Sequence, residues 1–120
     1  MDIQWNTTVI DPKELIQISR GNNTVIHKYL LQFQKLIPER IESLKVSLEA
    51  QDRKQVRQIL HQMSPQLQFF GIPNIVVPIR RLEHEYKTIP ITDLNELVHS
   101  ILSKLHMALS DVEKVIKENF

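Results

Sequence analysis

The sequence contains no cysteine, and only two of its 120 residues are glycine. The lack of cysteine excludes disulfides, thiolate nucleophiles and cysteine-based metal sites, and it fits a reducing location such as the cytoplasm. The scarcity of glycine argues against glycine-rich phosphate loops, βαβ units and many tight hairpins. No run of about 18 apolar residues occurs, so we expect no membrane-spanning helix.

The chain also lacks an excess of positive or negative charge, because 15 Lys and Arg are balanced by 14 Asp and Glu and the net charge is +1. A nearly neutral chain has no bulk electrostatic reason to bind nucleic acid or an anionic membrane, and we expect neither as a partner. The opening residues MDIQW lack the basic and apolar segments of a signal peptide. With 42% hydrophobic residues, the length predicts a single folded domain over residues 1–120.

Proline, glycine and capping residues divide the sequence into amphipathic helices after an extended lead-in at residues 1–10. Asp11 caps a short helix that runs from Pro12 to about Ser19 and is ended by Arg20-Gly21, and Thr92 caps the last helix. Pro38 marks a break or a kink. The longer helical patterns cover about residues 23–37, 38–49, 52–70, 74–86 and 92–118. We predict an all-α protein, a four-helix up-down-up-down bundle with a short N-terminal covering helix.

The helix after Asp52 carries the main candidate for chemistry. Its apolar residues fall on one arc, and His61 lies about 150° from the centre of that arc, so it should point to solvent. Cations on the same outer surface suit a phosphoryl group, and they favour the neutral, nucleophilic imidazole. An exposed helical histidine is nevertheless most often an ordinary surface residue. The outer residues around His61 are Lys54, Arg57, Ser64, Pro65 and Gln68.

Pro65 stands inside this helix, four residues after His61. A proline there lacks the N–H that would bond the carbonyl of His61, at a cost of about 3 kcal/mol. It is either a harmless kink or a feature that shapes the backbone behind the imidazole. Phe69 lies off the core arc and is either a docking contact or a residue packed under the first helix. The pairs Arg53-Lys54 and Arg80-Arg81 are expected on solvated faces.

The segment HQMSPQLQFFG, from His61 to Gly71, resembles the signature of histidine-containing phosphotransfer (HPt) domains. That signature has a histidine, glycine or proline four residues later, and glycine at ten; His61, Pro65 and Gly71 match it. The layout of residues 9–120 resembles the family as well. One departure is Ser64, which stands where the family often has lysine.

The resemblance implies a phosphorelay intermediate, in which His61 accepts a phosphoryl group from a receiver-domain aspartate and passes it to another receiver. Pro65 and Gly71 would shape the site. The partner receiver would supply Mg²⁺, and the chain would have no cofactor or metal of its own. Such a protein transfers phosphate without an ATP-binding kinase domain. The expected partners are receiver domains and a hybrid sensor histidine kinase, bound by a cytoplasmic monomer. The residues expected to support the phosphoryl group are Arg57, Lys54, Ser64 and Gln68.

Two alternatives remain open at the level of sequence. A degenerate HPt-like domain would bind a receiver without transfer, and Ser64 favours this alternative. An unrelated helical module would make the motif a coincidence, and burial or ion pairing of His61 would favour it. The sequence also leaves open which receivers take part, the direction of transfer, and whether the domain stands alone or is part of a larger protein.

Overall fold

The computed structural model describes residues 2–120, and Met1 of the predicted lead-in lies outside them. Five α-helices and no β-strand occur in that range, which confirms the all-α prediction. No helix between residues 2 and 120 is both long and apolar enough to cross a bilayer. The helices are α1 (Lys13–Ser19), α2 (Asn23–Glu49), α3 (Arg53–Phe69), α4 (Val76–Glu85) and α5 (Ile91–Asn119).

Helix α2 packs against α5 and α3, α3 packs against α4, and α1 lies against α2 and α3. His27 near the start of α2 stacks on Phe120 after the end of α5, with ring centroids 4.0 Å apart. Arg53 at the start of α3 donates to the carbonyl of Tyr86, just after α4. These helix pairs therefore run antiparallel. The molecule measures 50 × 21 × 20 Å, because α2 and α5 are each about 40 Å long.

The core arc predicted for α3 is confirmed, since every member is buried. Leu60 and Leu67 are fully enclosed, and the outer face of the helix carries the polar residues. Phe70 follows directly and packs on Phe33 of α2, with ring centroids 4.3 Å apart. The inner face of α3 is therefore fixed by apolar burial. The buried residues within α3 are Val56, Ile59, Leu60, Met63 and Leu67.

Pro38 does not break the helix, because it lies inside the continuous helix α2. Phe33 and Ile37 before it, and Ile41 and Leu44 after it, are all buried on the core face. Each such side chain contributes about 1.5–3 kcal/mol on burial. Their sum exceeds the cost of about 3 kcal/mol for one internal proline. The two predicted segments on either side of Pro38 are one helix.

The predicted cap of the last helix is wrong. Helix α5 begins at Ile91, one residue before Thr92, and no side chain caps it. Pro90 occupies the cap position with φ of −56°, and its carbonyl accepts a hydrogen bond from the amide of Leu94. The fixed φ of proline suits a helix start, so the helix begins before the threonine.

Two other helix starts shift by one or two residues. Pro12, not Asp11, occupies the cap position of α1, although the Asp11 carboxylate still accepts a hydrogen bond from the amide of Lys13. Helix α4 begins at Val76, because Asn74 has φ of +57° and cannot belong to a right-handed helix.

The lead-in is held against α5 by one buried carboxylate. Asp111 is only 4% exposed and accepts four hydrogen bonds. One oxygen receives the backbone amide and hydroxyl of Thr8, and the other receives the amides of Val9 and Ile10. Burial raises the pKa of Asp111, but these hydrogen bonds outweigh it and leave the pKa below its ordinary value.

We expect Asp111→Asn to destabilise the protein by about 2 kcal/mol at pH 7, because the amide has a single acceptor oxygen for four donors. In the wild type this stabilisation is complete above the ordinary pKa of 3.8 and is lost as the pH falls through the lowered folded value. The difference between variant and wild type should therefore shrink in acid. Urea unfolding followed by the fluorescence of Trp5, the one tryptophan, measures it.

Glu113→Gln is the matched control, because Glu113 is exposed two residues later on the same helix. We expect it to change the free energy of unfolding by less than about 0.5 kcal/mol. A loss for Asp111→Asn that stays the same from pH 7 into acid would contradict the assignment of the effect to the carboxylate charge.

Candidate functional site

His61 lies in the middle of α3, and 65% of its side chain is exposed. Its outward direction follows from the helix itself: Asp52 caps the start by accepting the amide of Gln55, and the buried residues then fix the rotation. The predicted exposure of His61 is confirmed. A partner protein can therefore reach the imidazole without unfolding any part of the bundle.

The imidazole is held by a carboxylate from the next helix. His61 Nδ1 lies 2.5 Å from Oε1 of Glu83 in α4, whose side chain is 28% exposed. The carboxylate can only accept, so Nδ1 carries the proton and donates it. In the neutral ring, Nε2 then holds the free lone pair. This contact sets both the tautomer and the orientation of the ring, as a carboxylate does for metal-binding and catalytic histidines in other proteins.

Sequence reasoning does not reveal this contact. The two residues are 22 positions apart and belong to different helices. The pattern of one helix shows which way His61 points, but it cannot show what another helix places beside it.

Arg57 lies one turn before His61 on α3, and within residues 2–120 no hydrogen bond joins the two side chains. Arg57 rests over the ring of Tyr86, with 5.1 Å between the guanidinium carbon and the ring centroid. Its Nε is buried without a hydrogen-bond partner among residues 2–120. The guanidinium of Arg57 is therefore held against Tyr86 with one nitrogen unsatisfied.

The expectation that Arg53 lies on a solvated face is wrong. Arg53 is half-buried, and its guanidinium donates to the carbonyls of Tyr86 and Ile89. It satisfies two carbonyls at the end of α4 and in the following loop, which explains why it turns inward. We call the row formed by Arg53, Arg57 and His61 on α3, with Glu83 and Tyr86 opposite, the α3–α4 seam.

The other predicted support residues lie on the outer face of α3, but none forms a hydrogen bond with His61 within residues 2–120. Ser64 is half-buried one turn after His61, whereas Lys54 and Gln68 are exposed about two turns away on either side. Pro65 is exposed, and α3 stays helical across it. Phe69 is half-buried and packs against the core, so only part of its ring can meet a partner.

Gly71 is required by a close approach between two segments. Its φ is +60°, and a Cβ there would lie 2.5 Å from the carbonyl oxygen of Asp11. The amide of Asp11 in turn donates to the carbonyl of Phe70. The end of α3 is thus joined to the chain that leads into α1, and only glycine fits the junction.

No protein-family model and no curated protein matches this sequence. Among solved structures, the crystal structure of the HPT domain from the Hpt sensor hybrid histidine kinase from Shewanella is similar, with a TM-score of 0.77. The match covers 91% of this chain and 94% of that chain, at 17% sequence identity. The fold is therefore that of an HPt domain, as the resemblance around His61 implied.

This result bears on the alternative of an unrelated helical module. The ion pairing of His61 that would favour such a module is present, but the histidine is not buried. The contact occurs within an HPt fold and occupies Nδ1 alone among the ring nitrogens. The ion pair thus meets one condition that favoured an unrelated module, whereas the similarity of the fold to an HPt domain counts against an unrelated fold.

Proposed function

We propose that this protein is a phosphorelay intermediate. His61 accepts a phosphoryl group from an aspartate of one receiver domain and passes it to another receiver. The observation that carries the proposal is the exposed His61 imidazole in the middle of α3, with Nδ1 held by Glu83. The similarity of the fold to an HPt domain of a hybrid sensor kinase supports it.

In the forward step, the lone pair of His61 Nε2 attacks the phosphorus of the receiver phosphoaspartate. A nitrogen–phosphorus bond forms, the phosphorus–oxygen bond breaks, and the aspartate leaves as a carboxylate. Nδ1 keeps its proton, so the imidazole gains positive charge as the bond forms. The Glu83 carboxylate at 2.5 Å stabilises that charge without moving a proton. In the return step, an aspartate carboxylate of the second receiver attacks the same phosphorus; a phosphorus–oxygen bond forms, the nitrogen–phosphorus bond breaks, and His61 leaves as the neutral imidazole with its proton still on Nδ1.

The bundle contributes position and electrostatics to this reaction. Phosphoryl transfer needs little acid–base chemistry, provided that the attacking atom is aligned and the charge on the oxygens is balanced. We propose that Arg57 moves from Tyr86 to the phosphoryl oxygens, that Ser64 and Gln68 donate hydrogen bonds, and that Lys54 adds a more distant charge. The receiver brings Mg²⁺, and the protein acts as a cytoplasmic monomer with no ATP site.

Incubation with a panel of phosphorylated receiver domains tests the acceptance step. We expect label on this protein that is labile in acid and stable in alkali, the behaviour of a phosphorus–nitrogen bond. Binding of each receiver is measured in parallel by titration. If the receiver that binds most tightly transfers no label to this protein, the proposed transfer is contradicted.

A second candidate is a domain that binds a receiver without phosphotransfer. Ser64 favours it, because the cation usual at that position in the resembling family is absent, and the nearest cation on α3, Arg57, is engaged with Tyr86. This candidate predicts receiver binding that is unchanged by substitution of His61. Transfer to His61 in the same panel would contradict it.

We expect Glu83→Gln to slow phosphorylation of His61 about tenfold, the size of effect seen when a group that orients a histidine is removed. Glutamine can still accept the Nδ1–H, but it carries no charge to balance the ring. The ¹⁵N shifts of the imidazole report the tautomer directly, and we expect a smaller share of the Nδ1–H form.

Glu85→Gln is the control for this variant, because Glu85 lies on the same helix and pairs with Arg81 instead of His61. It should leave both the tautomer and the rate unchanged. If Glu83→Gln slows the reaction with no change of tautomer, the carboxylate acts through charge alone and the orienting role is wrong.

A further inference from the structure

The site described above lacks a cation on the side of Ser64, and an arginine of α4 is the strongest candidate to supply one. Arg80 is exposed and forms no hydrogen bond or ion pair within residues 2–120. Its neighbour Arg81 is engaged, with contacts of 2.9 Å to Glu85 and 3.7 Å to Asp93. Of these two adjacent arginines, only Arg80 has a guanidinium without a hydrogen bond or ion pair in the part of the chain that the structure describes.

The register between α3 and α4 places Arg80 near Ser64. Arg57 contacts Tyr86, and His61, four residues later on α3, contacts Glu83, three residues earlier on α4. Residues further along α3 therefore lie beside residues closer to the start of α4. One further turn forward on α3 reaches Ser64, and one turn back on α4 reaches Arg80. Both steps are about 4.5–5 Å along antiparallel axes.

The rotation of α4 places Arg80 on the open side of the α3–α4 seam. Glu83 faces His61, and Arg80 lies about 60° further round the helix. The buried residues Ile79 and Leu82 lie on the opposite side of Glu83 around the helix, so Arg80 faces away from the core. Arg81 lies on the other side of α4, where it meets Asp93 of α5.

We propose that Arg80 binds the phosphoryl group on His61 Nε2 and supplies the charge that Ser64 does not. The inference rests on the proposed function and names a further residue of the same site. A guanidinium presents several N–H donors that match phosphoryl oxygens, and it forms shorter and stronger bonds with them than neutral donors do. Arg80 breaks no ion pair to do so, whereas Arg57 has to leave Tyr86.

Phosphoramidate tests the proposal without a receiver. Nε2 of His61 attacks its phosphorus, the phosphorus–nitrogen bond of the donor breaks, and ammonia leaves. The rate of His61 phosphorylation is measured for the wild type, Arg80→Ala, Arg81→Ala and the double variant Arg80→Ala with Ser64→Lys. We expect Arg80→Ala to be about fivefold slower, Arg81→Ala to be within about twofold of the wild type, and the double variant to recover the rate.

The outcomes separate the two proposals. No phosphorylation of His61 in the wild type would contradict the proposed function, and the role of Arg80 would fall with it. Phosphorylation at equal rates in the wild type, Arg80→Ala and Arg81→Ala would overturn the role of Arg80 alone. A loss in Arg80→Ala that Ser64→Lys does not recover would also overturn it, because a cation on that side would then not be what is missing. Circular dichroism confirms that each variant is folded.

Discussion

Replacing His61 with glutamine is expected to abolish phosphorylation of the protein, with a loss of at least about a thousandfold in rate. Glutamine is close in size and favours helix, so α3 and its buried face stay in place. It has no imidazole lone pair, and no other group on the exposed face of α3 is a comparable nucleophile. The rate of labelling by a phosphorylated receiver, with the labelled residue identified by mass spectrometry, measures the effect.

His106→Gln is the control, since His106 is also an exposed histidine in a helix but lies on α5. It should leave the labelling unchanged. His84 is the residue to watch in the His61→Gln variant, because it is exposed and adjacent to Glu83 on α4. Label that moves to His84, or that remains at the wild-type level, would contradict the assignment of His61.

Replacing Gly71 with alanine is expected to lower the free energy of unfolding by about 3 kcal/mol. A left-handed backbone costs about 1–2 kcal/mol for a residue with a Cβ. In addition, the new Cβ would lie 2.5 Å from the carbonyl oxygen of Asp11. This distance is too short, so the backbone at Asp11 or at position 71 would have to shift. The junction between the end of α3 and the chain before α1 should therefore open. Urea unfolding at pH 7 measures the loss.

Gly21→Ala separates the two causes. Gly21 has φ of +71°, but nothing lies within 4 Å of the position that a Cβ would take there, so only the backbone cost applies. We expect a loss of about 1 kcal/mol for this variant. Equal losses for the two substitutions would show that the contact between Gly71 and Asp11 carries no energetic weight, contrary to the structure.

The parts of the fold that depend on local pattern could be predicted from the sequence. The inner face of α3, its cap at Asp52 and the exposure of His61 all follow from the spacing of apolar residues along one helix. The left-handed glycine at position 71 follows from its place directly after Phe70, the C-cap of α3. In each case the interacting groups are close in sequence, so a rule about one helix is sufficient.

The parts that depend on contacts between helices could not be predicted. Glu83 lies beside His61, and Arg53 turns inward to the loop after α4, only because two helices pack side by side. The Asp111 carboxylate accepts hydrogen bonds from amides of the lead-in that are about a hundred residues away in sequence. At Pro38, local chemistry allowed either a break or a kink, and burial on both sides kept α2 a single helix. Distant packing decided each of these positions.

Reconstitution of the whole relay tests the central claim most directly. One phosphorylated receiver that binds the protein is mixed with a second, unphosphorylated receiver, with and without this protein. We predict that label reaches the aspartate of the second receiver only when the protein is present, and that the His61→Gln variant does not support the transfer. Label that reaches the second receiver equally well with His61→Gln, or that never leaves the first receiver although both receivers bind the wild type, would contradict a relay through His61.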